Sequence, residues 1–199
     1  MQTGATIWFT GIPSSGKSTI AREVRDQLVE RGLAVELLDG PEVRQSLSRG
    51  LGFAREDREE HVRRIGYVAK LLSRNGVIAI CAAVSPYRAT RDEVRSNVSG
   101  FVEVYVECPL AVAEARDTEG VYARARSGAI DDYTGIDAPY EAPERPEVHI
   151  RSDAESVPDA AAKVVRTVEL MGLIPTEKAS AAVSAEDEVR RRLAGLGYI

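Results

Sequence analysis

The chain has 199 residues, of which 44% are hydrophobic and 29% charged, with a formal net charge of −5. That length and balance fit one globular domain with a sizeable core and exclude fibrous or wholly disordered classes. No window reaches the ~20 continuous apolar residues of a spanning helix, and the acidic balance gives no general field for nucleic acid, so phosphate recognition must be local.

From the N-terminus, "MQTGATIWFTG" enters a strand-like run with no basic region or cleavage site, so no signal peptide is expected and the cytoplasm is the expected compartment. The runs "ATIWFTG", "AVELLDG", "GVIAICAAV" and "FVEVYVEC" read as buried strands, each followed by a segment of helical periodicity, and "EVHIRSD" reads as a weaker fifth strand. That alternation predicts an α/β fold with a parallel sheet flanked by helices on both faces. Helices are expected at about residues 17–31, 56–74, 88–97, 109–117, 119–127 and 157–171, with ends uncertain by about 2–4 residues. Cys81 and Cys108 sit in or beside apolar runs without metal-ligand spacing and read as buried reduced thiols. Residues 128–146, rich in Gly, Pro and Asp and carrying two tyrosines, form a loop too long for a mere connection. Beyond "MGLIP" the chain reads as a linker and a short helix with Val189, Leu193 and Leu196 on about one face. The expected division is a domain over 1–174 and an appended segment over 175–199.

Gly11, Gly16, Lys17 and Ser18 fit the spacing G-x-x-x-x-G-K-[ST] after a strand and before a helix. Glycines let several backbone N–H groups face a phosphate, and the helix N-terminus adds a favourable dipole. Lys17 would neutralise the outer phosphates of ATP and the Ser18 hydroxyl would ligate Mg²⁺. The plainer alternative is a chance match in a Gly/Ser-rich turn. Asp39 closes the second strand, where a carboxylate beside the phosphate loop can orient magnesium or an acceptor hydroxyl; it could equally cap the next helix. Arg44, Arg49, Arg58, Arg63 and Arg64 surround Phe53, a set suited to phosphate or sulfate oxygens and to stacking on a base. Their plainer reading is a solvated helix face with Glu59 and Arg63 paired at i,i+4.

The ordered set "GIPSSGKST", "LDG" with "VR", "LGF" with "DR" and "RR", "SPYRA", and "YTGID" resembles the adenylyl-sulfate kinases over roughly residues 3–170. The resemblance implies a P-loop kinase with a five-stranded parallel sheet and a lid over about 118–145. It implies ATP and Mg²⁺ as cofactors, adenosine 5′-phosphosulfate (APS) as acceptor, and a homodimer, with no nucleic acid or membrane partner. Gly11 to Thr19, including Ser14, Ser15 and Gly16, would hold the ATP phosphates, with Arg116 near the adenine of ATP. Lys17, Asp39 and Arg44 would form the catalytic set, and Ser18 with Asp39 would serve the metal. Asp39, Arg44, Phe53, Arg58, His61, Ser85, Pro86 and Tyr87 would line the APS pocket, and Tyr133, Thr134, Gly135 and Ile136 would close over it.

Departures from the family pattern gather on the acceptor side. Where the family reads D-G-D-N, this chain reads Asp39–Gly40–Pro41–Glu42; His61 stands for a usual asparagine and Glu119 for a usual lysine. Two alternatives to APS phosphorylation therefore remain open at this stage: a related kinase with a different acceptor, or a non-catalytic ATP-binding homologue.

Overall fold

The computed structural model describes residues 4–176 and the single position 193. Five parallel strands form one sheet in the order β2-β3-β1-β4-β5: β1 Thr6–Thr10, β2 Val35–Asp39, β3 Ile78–Ala82, β4 Phe101–Glu107 and β5 Val148–Arg151. Their registers are all parallel, with Phe9 of β1 beside Ala82 of β3 and Val104 of β4. The helices are α1 Lys17–Glu30, α2 Gly40–Gln45, α3 Arg55–Arg74, α4 Arg88–Asn97, α5 Leu110–Ala115, α6 Val121–Arg126 and α7 Val157–Leu170.

The central strands explain their composition. Every residue of β1 and of β3 is buried, as expected of strands covered on both faces. Alternate side chains of β1 enter different cores. Ile7 and Phe9 join Ile20, Val24 and Leu28 of α1 and Val164 and Val168 of α7 on one face. Trp8 joins Val62, Ile65 and Ala69 of α3 and Val94 of α4 on the other. At the sheet margin β5 alternates buried and exposed residues, the pattern of a strand covered on one side. Both cysteines are free and buried, and burial pushes the Cys81 thiol above its ordinary pKa.

The order reverses across β1, so the crevice beyond its C-terminal end is the natural ligand site of such a sheet. The segments that follow β1, β2 and β3 all open there. The short helix α2 does not appear among the ranges read from periodicity. Of residues 175–199, Leu193 is helical and exposed; Val189 and Leu196 lie outside the described residues. Among the described residues no helix is long and apolar enough to cross a membrane.

Candidate active site

Gly11 to Thr19 join β1 to α1 as a tight loop. A Cβ on Gly11 would stand 2.5 Å from the Val106 carbonyl oxygen, so the loop lies against the end of β4. Gly16 holds φ at 98° at the N-cap of α1, a conformation glycine adopts freely. Lys17 is 7% exposed, and its Nζ donates to the Ile12 carbonyl at 2.7 Å and to Ser15 Oγ at 3.4 Å. Burial lowers its pKa to about 7, against smaller opposing pulls from Asp39 and Cys108. An incoming phosphate would draw this ammonium back to its charged form.

Asp39 stands at the N-cap of α2, yet its side chain makes no capping bond. Its Oδ1 accepts from Ser18 Oγ at 2.7 Å and its Oδ2 from Arg22 Nη2 at 2.7 Å. The carboxylate thus faces the phosphate loop, and the capping alternative is not realised. Ser18 and Asp39 present adjacent hard oxygens, a donor set that fits magnesium, which takes few protein ligands and binds nucleotide phosphates as well.

A cleft of about 510 Å³ runs from this loop to the arginine group, a size within the range of small-molecule sites. At the far end the Arg44 guanidinium lies 4.7 Å from the Phe53 ring centre and that of Arg58 lies 5.6 Å from it. Arg44 donates to the Gly52 carbonyl at 2.8 Å. Arg58 donates to the Phe53 carbonyl at 2.6 Å, to Thr134 Oγ1 at 2.5 Å and to the Asp132 carbonyl. Burial lowers the pKa of both, and Arg58 lowers that of Arg44 further. Two cations sharing one wall favour an anion between them. His61 lies in the same wall with Nδ1 2.8 Å from Ser48 Oγ. Burial, then Arg44 and Arg64, pushes its pKa down to about 4, so the ring is neutral near pH 7. A neutral imidazole offers a hydrogen-bonding edge in place of the amide the family carries.

Ser85 and Pro86 form the floor of the cleft. Ser85 has φ 39°, and its loop is fixed by Trp8 Nε1 donating to Ser85 Oγ at 3.0 Å and by Arg91 Nη1 donating to the Ser85 carbonyl at 2.7 Å. Arg116 lines the opposite end and donates to Ser152, at 2.7 Å to its carbonyl and 3.1 Å to its Oγ. Above lie α6 and the loop after it. Tyr122 OH donates to the Pro13 carbonyl at 2.8 Å, the Tyr122 and Tyr133 rings meet edge to face at 4.9 Å, and the Asp137 carboxylate accepts from the backbone N–H of Asp132 and Tyr133. The irregular segment is therefore an ordered cover, pinned to the phosphate loop and to Arg58.

The cleft gathers Ser14, Lys17, Ser18, Arg44, Phe53, Arg58, His61, Ser85, Pro86, Arg116, Tyr133 and Thr134. Eight others do not line it: Gly11, Ser15, Gly16 and Thr19 of the phosphate loop, Asp39, which is bonded to Ser18, and three of the acceptor set. Tyr87 is buried, with Arg55 4.4 Å over its ring. Gly135 and Ile136 turn away in the loop that the Thr134–Ala138 bridge closes, and they line a shallow hollow with Ile12, Cys108 and Leu110. Arg63 pairs with Glu59 and Glu93, and Arg64 with Glu60, which is the solvated-face reading. Glu119 lines the cleft beside Asp117, which holds the start of α6 through the Tyr122 N–H at 2.7 Å. Sequence reasoning missed Arg22; its signal was its position one helical turn after Ser18.

Residues 3–151 match the family model described as adenylylsulphate kinase. An adenylyl-sulfate kinase of Halothermothrix orenii is 50% identical over 173 residues, covering 87% of this chain and 94% of that one. The structure of a Mycobacterium tuberculosis APS kinase in complex with AMPPNP and APS superposes with a TM-score of 0.81 at 37% identity, covering 85% of this chain and 99% of that chain. A hexameric APS kinase from Thiobacillus denitrificans gives a TM-score of 0.67 at 37% identity, covering 87% of this chain and 30% of that chain.

Proposed function

The chain belongs to the adenylylsulphate kinase family, and on that premise we propose that it transfers the γ-phosphoryl group of ATP to the 3′-hydroxyl of APS. The observation that carries this reading is one continuous cleft with the phosphate loop at one end and the Arg44–Phe53–Arg58 stack at the other.

In this reading the loop from Gly11 to Thr19 holds the ATP phosphates and Lys17 neutralises their charge, with Arg116 toward the adenine. Ser18 and Asp39 hold magnesium, which would screen the same phosphates. Arg44 and Arg58 take the phosphosulfate anion, Phe53 stacks on the acceptor adenine, and the neutral edge of His61 meets its polar rim. Ser85 and Pro86 support the acceptor from below, while Tyr133 and Thr134 exclude water from above. The 3′-oxygen then bonds to the γ-phosphorus as the bond to the β–γ bridging oxygen breaks, releasing ADP and the hydroxyl proton. Because that transition state is loose, positioning and charge neutralisation supply most of the acceleration.

We assign the kinase unit to residues 1–174, with a lid at about 118–145. A homodimer in the cytoplasm is the assembly and setting we propose, which light scattering on the full chain tests for the first part. The activity itself is tested by following ATP turnover and 3′-phosphorylated product with and without APS at fixed magnesium. Product formed only with APS is the expected result. ATP binding without that product would move the acceptor elsewhere, as the carboxylate of Glu119 on the cleft wall would then explain.

A further inference from the structure

Arg22 belongs to no motif named above, yet its guanidinium reaches the carboxylate on which the proposed reaction depends. Ser18 and Arg22 lie one turn apart on α1, so their side chains leave the same face of the helix. They close on different oxygens of Asp39, each at 2.7 Å. The Asp39 side chain is 8% exposed and that of Arg22 53%, so the cation reaches in from solvent to a carboxylate held in place.

A second feature acts in the same direction. An aspartate at an N-cap ordinarily accepts from the backbone N–H of the second or third helical residue. Helix α2 begins at Gly40, so its second residue is Pro41, which has no N–H to give. The pull of α2 on the carboxylate is weakened, and Arg22 supplies a pull toward α1. Arg22 also engages the Asp39 charge in place of Lys17, whose Nζ stays on the Ile12 carbonyl inside the phosphate loop. We propose that Arg22 is a positioning residue for phosphoryl transfer which, together with Pro41, commits Asp39 to the phosphate side of the cleft. This rests on the assignment of Asp39 and Ser18 to the metal.

Arg22→Ala and Arg22→Lys test it in the full-length protein, with Mn²⁺ as the probe. In the presence of AMPPNP, the Mn²⁺ affinity read by electron paramagnetic resonance falls about tenfold in Arg22→Ala, the usual scale for removing a group that orients a metal ligand. The kcat for APS phosphorylation falls by a similar factor while the KM values for ATP and APS stay within about twofold, and Arg22→Lys recovers part of both losses. A purely structural role would not divide kcat from KM or be rescued by charge. Arg22→Gln, which keeps the length and a donor, replaces Arg22→Ala if the alanine variant does not fold. In a Pro41→Ala background the same substitution loses more than in the wild type; equal losses would remove Pro41 from the mechanism. Unchanged Mn²⁺ affinity and unchanged kcat in Arg22→Ala would overturn the proposal. If the wild type makes no product from APS while the Mn²⁺ effect persists, the acceptor assignment falls and the role of Arg22 stands.

Discussion

Lys17 carries the clearest consequence of burial on a single group. Its pKa lies at about 7 in the folded chain against an ordinary value of 10.5. Between those values the unfolded chain holds the proton that the folded chain has released. This group therefore makes stability rise with pH through that window, and the contribution is lost as pH falls through about 7. The unfolding free energy of wild type relative to that of Lys17→Met, measured by urea denaturation, should rise as pH is raised above 7, so that any advantage of Met shrinks. A difference independent of pH would mean that Lys17 is charged throughout. His61 follows the same physics to a different end, since its neutral ring can stand in for an amide only because burial and two neighbouring arginines keep the proton off. Nothing in the sequence marks either shift, because each depends on what surrounds the group in space.

At the scale of elements, α3 shows how one residue fixes a packing distance. Its 20 residues carry one buried stripe, in which Arg58, His61 and Val62 border the cleft at the N-terminal end and Ile65 and Ala69 continue along the sheet. Where α3 meets α4, a Cβ on Gly66 would stand 2.7 Å and 2.9 Å from the two methyls of Val94. A glycine-to-alanine change in a helix interior is worth about 1 kcal/mol in its favour, but overpacking a rigid β-branched neighbour costs about 1–3 kcal/mol. Gly66→Ala should therefore lower the melting temperature, and a rise would show that α4 can shift away. The periodicity that placed α3 at 56–74 could not show this contact, because it reports which face is apolar and not how closely another helix approaches. The segment 128–146 was legible as a break in pattern and as a long loop with two tyrosines. Its anchoring through Tyr122 and Arg58 was not, because those bonds join residues distant in sequence.

Across the whole molecule, the cleft depends on a buried charged group behind its floor. Arg91 is 1% exposed and donates to Glu103 of β4 at 2.7 Å, to the Ser85 carbonyl at 2.7 Å and to the Glu141 carbonyl at 2.8 Å. It so joins the sheet, the floor of the cleft and the trailing end of the loop 128–146. Removing one partner leaves Glu103 buried without its main counter-ion, a change that costs about 3–5 kcal/mol in comparable sites. Arg91→Ala should lower the urea midpoint accordingly, and a loss under about 1 kcal/mol would show that Arg95, which also reaches Glu103 at 3.2 Å, suffices.

The sequence by itself determined the five strands, the parallel sheet, the phosphate loop and the family, because those rest on local spacing and on runs that every residue shares with its neighbours. Only the tertiary structure decided which arginines of the group around Phe53 line the cleft: it set Arg44 and Arg58 against Phe53, left Arg63 and Arg64 to exposed ion pairs, and turned Gly135 and Ile136 out of the cleft. It alone brought Arg22 to Asp39. The reason is that a side chain's partner across the fold is chosen by the packing of helices against a sheet, which brings together residues that no spacing along the chain connects.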